Sequence, residues 1–314
     1  MIEVGSGAGG DIVIANAPVS YGAFELTVGI DPNVPDGIQV LDDVAEAGYA
    51  GIDLGPVGFL GDGAELGERL AARELGLAGA YLELPYSDPE ALRQSLPMLD
   101  AILDVFDAAS ADLIGPPPRP TLADAGSDFR RNNPGRAATD HGVGLDADAW
   151  ARFGRGLSAA VERCRDRGYE PTFHHETGTY VEAPWEIERV LELTDIGLCL
   201  DTGHLLLAGG DPVAAARAWA SRINHVHLKD ARRSVFAGIV ADGAPATAIW
   251  SRDAFPALGE GDLDADGVIA TLGEIGYRGW LVVEQDTLPT TRERFERAAE
   301  DQRANRAFLE RRGL

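Results

Sequence analysis

Residues 196–230 read IGLCLDTGHLLLAGGDPVAAARAWASRINHVHLKD. The segment opens on an apolar run, Ile196–Asp201, passes through an amphipathic stretch, Asp211–Ser221, and returns to a second apolar run, Ile223–Leu228. A short apolar run, a helix-period segment and another short apolar run spell one strand–helix–strand unit with parallel strands. The runs are near-continuous rather than alternating, the pattern of strands covered on both faces.

The same alternation extends in both directions. Further strand candidates lie at Ile12–Ala17, Gly51–Leu54, Leu77–Leu82, Ala111–Ile114, Pro171–His175 and Trp280–Glu284. Helix candidates separate them at Asp36–Ala47, Ala64–Leu75, Asp88–Ala109, Asp146–Arg167, Glu182–Leu193, Asp264–Ile275 and Thr290–Arg311. Eight strand–helix pairs predict a closed α/β barrel, a (β/α)8 TIM barrel, as a single domain over residues 1–314. Glycines punctuate the units: Gly48 in Ala47-Gly48-Tyr49 and Gly276 in Ile275-Gly276-Tyr277 suit the left-handed position that ends a helix.

Two connections are too long for turns, Gly115–Leu145 and Ala231–Gly261. Both follow a strand candidate, which predicts loops at the C-terminal mouth, where barrel enzymes keep their active sites. His141, on the first loop, joins the candidate substrate-binding residues.

Composition removes several function classes. The chain carries 27 Lys and Arg against 51 Asp and Glu, a formal net charge of -24. A phosphate backbone needs clustered basic residues, so no nucleic-acid partner is expected. An anionic membrane surface repels such a chain, and no apolar run approaches the ~20 residues of a membrane span. Met1–Asp11 is Gly-rich with neither basic patch nor apolar core, unlike a secretory signal. Cys164 and Cys199 sit among apolar residues and read as buried thiols in a reducing compartment. Together these predict a soluble cytoplasmic protein.

The chemistry is concentrated at strand ends. The candidates run out into Phe173-His174-His175-Glu176, Leu200-Asp201-Thr202-Gly203-His204, His225-Val226-His227-Leu228-Lys229-Asp230 and Val283-Glu284-Gln285-Asp286. Four consecutive strands thus deliver carboxylates or imidazoles to one barrel mouth, where desolvation is costly unless such groups pair or bind a cation. Glu176, Asp201, His227 and Glu284 offer three oxygens and one nitrogen, a set suited to a hard divalent ion: Mn²⁺ first, then Co²⁺ or Mg²⁺. Strand parity puts His174 with Glu176 on one face and His225 with His227 on another, while His175 is expected to turn toward the helices. Asp201 and His204 are close enough in the departing turn to reach one pocket.

At these residues the sequence resembles the sugar phosphate isomerase/epimerase superfamily, the xylose-isomerase-like barrels, and within it the myo-inosose dehydratases. The resemblance rests on Ala17-Pro18-Val19-Ser20-Tyr21-Gly22, Gly178-Thr179-Tyr180-Val181-Glu182, Leu198-Cys199-Leu200-Asp201-Thr202-Gly203-His204, Ala208-Gly209-Gly210-Asp211-Pro212, His225-Val226-His227-Leu228-Lys229-Asp230, Leu258-Gly259-Glu260-Gly261 and Gly279-Trp280-Leu281-Val282-Val283-Glu284-Gln285-Asp286. It implies a divalent metal held by Asp201, His227 and Glu284, with Glu176 or His174 as the fourth ligand. It also implies that His204 contacts a substrate hydroxyl or carbonyl, and that Lys229 and Arg232 lie near the substrate.

The implied reaction is a metal-dependent lyase reaction on a keto-polyol or keto-sugar. A base removes the proton alpha to the carbonyl and a β-substituent leaves; His174 is the first candidate base, then Glu284 or Glu176. Reprotonation instead of elimination gives a ketose epimerase or isomerase. Inosose dehydratases carry a second His where Glu176 stands, and the Phe236–Ala257 stretch is long for that group. Those departures suit the barrel subunit of bacterial C-glycoside deglycosylases, which releases an aglycone from a 3-keto sugar beside a small β-sandwich partner. The resemblance also implies a homo-oligomer. The non-enzyme alternative, a barrel kept as a scaffold or binding subunit, has no use for such a ligand set.

Overall fold

Among the described residues nine parallel strands form one sheet: β1 (Ile12–Asn16), β2 (Gly51–Ile52), β3 (Gly76–Leu77), β4 (Gly79–Leu84), β5 (Arg119–Asp124), β6 (Thr172–His174), β7 (Gly197–Asp201), β8 (Ile223–Leu228) and β9 (Gly279–Val283). The computed structural model describes residues 12–289 and 291–314. The segment 1–11, read above for signal character, and position 290, where the last helix candidate begins, lie outside the described residues.

The strands are ordered β3-β2-β1-β9-β8-β7-β6-β5-β4. Only Ala78 separates β3 from β4. Its N–H donates to the Ile52 carbonyl and its own carbonyl accepts from the Arg119 N–H. The two ends of the order are therefore one stretch of chain, and the sheet closes as the eight-stave α/β TIM barrel. β1 and β9 complete the ring in register from Ile12 opposite Gly279 to Asn16 opposite Val283.

The helices follow the amphipathic pattern and are capped as their sequences dictate. Asp36, Asp88, Asp146, Asp211 and Asp264 each accept a backbone N–H from the first turn of the helix they precede. The main core lies between strands and helices, with Leu41, Leu82, Leu103, Phe153, Phe173, Val226 and Leu281 among its buried members. A smaller cluster of Ala15, Ala17, Ala78, Trp280 and Val282 fills the inside.

Trp280 is almost wholly buried and donates its Nε1–H to the Pro116 carbonyl at 2.9 Å. Glycine is what makes room for it. A Cβ at Gly51 would lie 2.6 Å from Trp280 Cζ3, and one at Gly76 2.7 Å from Cη2. Gly51→Ala is therefore expected to cost about 1–3 kcal/mol through overpacking. Urea unfolding checks this, and an unchanged midpoint would mean that the indole has space to move.

Several expectations are corrected. The fourth strand is Arg119–Asp124, not Ala111–Ile114: Ile114 is 47% exposed and the chain turns through the prolines before pairing. Pro120 is tolerated because β6 pairs with β5 only from Thr121 onward. The Arg119 N–H already faces Ala78, so the missing Pro120 donor falls on the side that is still unpaired. The first mouth loop accordingly starts after Asp124, and Pro116 sits beneath the barrel beside Trp280 rather than at the mouth.

That loop holds a short helix, Asp128–Arg131, and two 3₁₀ turns. The second mouth segment is likewise partly helical, at Arg233–Ala241 and Ala248–Ser251. A helix over Thr202–Leu207 was not anticipated; Asp201 caps it by accepting from the His204 N–H at 2.8 Å. No described helix is long and apolar enough to cross a membrane.

Candidate active site

Five staves bring polar side chains to the mouth: Asp53 after β2, His174 on β6, Asp201 on β7, His227 on β8, Lys229 just beyond it, and Glu284 and Asp286 after β9. All are buried. Asp201, His227 and Glu284 converge as expected. The fourth member of the group is His174, and one ligand atom from each of the four lies within 4.8 Å of the others.

Glu176 departs from the metal-ligand expectation. It is half-buried, and its Oε2 accepts a hydrogen bond from the Tyr81 hydroxyl instead. The reason is local: β6 ends at His174, so strand parity no longer holds two residues later. For the same reason His175 does not simply follow the alternation; its Nε2 accepts from the Asp201 N–H at 3.3 Å.

Lys229 is the electrostatic hinge of the group. Its Nζ lies 3.1 Å from Asp201 Oδ2, 2.9 Å from Glu284 Oε2 and 2.9 Å from Asp286. A Cβ at Gly203 would meet Lys229 Cγ at 2.7 Å, so the stem depends on that glycine. Burial opposes the charge of Lys229, yet Asp201, Asp286 and Glu284 raise its pKa well above the ordinary lysine value. Burial likewise opposes ionisation of Asp201, but Lys229, His204 and His174 hold its pKa well below the carboxylate range. His227 and Lys229 do the same for Glu284 against its burial. Burial keeps His174 in the neutral, ligand-competent form.

A divalent cation fits this set on two observations. Three buried carboxylates, Asp201, Glu284 and Asp286, lie within 3.1 Å of the single Lys229 ammonium, an excess of negative charge that is costly away from water. Among the described residues, both ring nitrogens of His227 and Nδ1 of His174 also lack hydrogen-bond partners. With His174 in place of Glu176 the donors are two imidazoles and two carboxylates, a set that also suits Zn²⁺.

Above the group opens a cavity of about 190 Å³. His204, Glu176 and Lys229 line it. The Thr177 N–H donates to His204 Nδ1 at 3.3 Å, which fixes the ring proton of the neutral imidazole on Nε2, 3.7 Å from Asp286. Two expected residues are not brought there. His141 is exposed and stacks on Trp185 at 4.5 Å between centroids. Arg232 pairs with Glu260 at 3.2 Å and lines a separate surface cleft.

The sequence reading missed Tyr81, Glu83, Asp53, Phe24 and Trp250, all of which line the cavity. Asp53 had a signal, a carboxylate inside an otherwise apolar strand candidate. Tyr81 and Glu83 alternate on β4 and both face the mouth; the phenol is also within reach of Glu83 Oε1 at 3.0 Å. Burial, and then the neighbouring Glu176 carboxylate, push the Glu83 pKa up to about 7.

The inosose dehydratase of Geobacillus kaustophilus is 29% identical over 255 residues, 80% of each chain. The solved IOLI protein with a bound zinc atom superposes with a TM-score of 0.68 at 12% identity, over 94% of this chain and 98% of its own. D-allulose 3-epimerase from Methylomonas sp. superposes with a TM-score of 0.65 at 15% identity, over 96% and 98%. At those identities the two structures speak for the fold alone. The family model for the xylose isomerase-like TIM barrel matches residues 41–311, and the chain belongs to that family.

Proposed function

We propose that the protein is a divalent-metal-dependent lyase acting on a keto-polyol or keto-sugar, with inosose-type substrates first. The observation that carries this reading is the convergence of His174, Asp201, His227 and Glu284 beneath the mouth cavity. The relatives named inosose dehydratase support the choice of chemistry.

In this reading those four residues hold the cation, Mn²⁺ first and Co²⁺ or Mg²⁺ as alternatives. The bound cation supplies Lewis-acid stabilisation of the oxyanion that develops on the substrate, worth several kcal/mol. Because His174 belongs to the ligand group, proton abstraction passes to Glu176, which lines the cavity and is oriented by Tyr81. A positioned base of this kind contributes roughly 10²–10⁴-fold. The Nε2–H of His204 is placed to donate to a substrate hydroxyl or carbonyl. Lys229 holds Asp201 and Glu284 in place, and Glu83, which lines the cavity with its pKa pushed up to about 7, is placed to give a proton to a departing hydroxyl.

A second reading has its own support. One wall of the cavity is apolar, built from Pro18, Val19, Phe24, Leu26, Pro56 and Trp250, with Phe24 and Trp250 in edge contact at 5.6 Å. A bare polyol makes little use of such a wall, whereas a keto-sugar carrying an aryl group would bury it there. That favours carbon–carbon elimination of the C-glycoside type as the alternative lyase reaction.

Incubation of the Mn²⁺-loaded protein in D₂O with an inosose, free ketoses and a 3-keto-C-glucoside, followed by NMR, separates the outcomes. A dehydrated dione establishes the first reading and a released aglycone the second. Deuterium in a C2 or C3 epimer moves the assignment to epimerase. Bound metal without exchange on any of them sinks all three.

A further inference from the structure

His227 is approached from two sides by different carboxylates. Its Nδ1 lies 3.1 Å from Glu284 Oε2 and 3.8 Å from Asp201 Oδ2, within the four-residue group. Its Nε2, at the far edge of the ring, lies 3.8 Å from Asp53 Oδ2. Asp53 is held by its own backbone, whose N–H donates to the Asn16 carbonyl at 2.9 Å. Its Oδ1 has no hydrogen-bond partner among the described residues. Glycine at position 79 leaves space for that oxygen, since a Cβ there would come within 3.3 Å of it. His225, one turn of the strand alternation deeper, is buried with both ring nitrogens unpartnered among the described residues.

Asp53, His225 and His227 also bring three ligand atoms within 4.8 Å of one another, which by distance alone would make a second cation site. Imidazole chemistry decides between that and a supporting role. A neutral histidine has one lone pair and one N–H. If Nδ1 gives its lone pair to the four-residue group, Nε2 carries the proton and has nothing left for a second ion. Metal-ligating histidines characteristically donate that other N–H to a carboxylate, which fixes both tautomer and ring orientation.

We propose that Asp53 is the positioning residue of the centre, accepting the Nε2–H of His227 so that the Nδ1 lone pair faces Asp201 and Glu284, and that the inner trio is not a second cation site. This rests on the metal-centre reading above, and the experiment keeps the two apart.

The full chain is stripped with a chelator and titrated with Mn²⁺ and with Co²⁺, as wild type, Asp53→Asn and Asp201→Asn. Affinity, ion stoichiometry and the thermal midpoint of the metal-free protein are recorded. The wild type is expected to take one ion per chain. Asp53→Asn is expected to take one ion about 10–100-fold more weakly, with no loss of metal-free stability to account for it. Affinity within threefold of wild type overturns the proposal. Two ions in the wild type and one in Asp53→Asn overturn it in favour of an inner cation site. No binding by the wild type removes the metal centre itself and this role with it.

A direct measurement stands even if Asp53→Asn does not fold. In wild type loaded with Zn²⁺ and carrying ¹⁵N-labelled histidine, His227 is expected as the Nε2–H tautomer with Nδ1 shifted by the ion. The opposite tautomer overturns the assignment.

Discussion

Asp201→Asn is expected to lower kcat/KM by at least about 10³-fold and to abolish retention of Mn²⁺ through gel filtration. The Lewis-acid contribution at stake is several kcal/mol, and each 1.4 kcal/mol is a factor of ten. The substitution is informative because it is conservative where folding is concerned. Asp201 Oδ1 caps the helix Thr202–Leu207 through the His204 N–H, and an asparagine oxygen accepts the same bond. Only the charge facing His174, His227 and Lys229 is removed. The loss should therefore appear without a matching fall in the thermal midpoint of the metal-free protein. Wild-type metal retention by Asp201→Asn would remove the proposed centre.

Arg130→Met is expected to destabilise the protein by about 3–5 kcal/mol, the effect of leaving buried carboxylates without their cation. Arg130 is 0% exposed and lies between Glu186, at 2.7 Å, and Glu182, at 3.2 Å. The same two glutamates receive the backbone N–H groups of Gly135, Glu182 and Ala183. One guanidinium thus ties the loop after β5 to the segment entering helix Pro184–Leu193. Urea unfolding measures the loss. The triple variant Arg130→Met, Glu182→Gln, Glu186→Gln should recover part of it, since no buried charge remains. If the single variant is as stable as wild type, the ion cluster is not what holds the loop.

The sequence was most informative where local pattern and tertiary demand coincide. Parallel strands buried on both faces leave unbroken apolar runs, so most staves and the count of eight were legible, as were Asp201, His227 and Glu284 at the ends of three of them. The misplaced fourth strand shows where the pattern fails. Ala111–Ile114 is apolar but follows a long helix into a turn, whereas Arg119–Asp124 carries a proline and two charged residues and still pairs on both sides. The fourth ligand was undecidable because it depends on where β6 stops, and a difference of two residues exchanges His174 for Glu176. Tyr81, Glu83 and Trp250 belong to the site only through the barrel's curvature and the fold of the second mouth segment, and neither has a local signature.

The closure of β1 on β9 has a consequence for how the molecule is made. β1 leaves the ribosome well before its partner β9, and the pairing of Ile12 with Gly279 joins residues far apart in the sequence. High contact order of this kind slows folding. Until the final stave arrives, β1 and β8 present open edges able to pair with other chains. Glu284 arrives with that same stave, so the buried group it forms with His174, Asp201 and His227 cannot be complete until β9 has been made and has closed the ring.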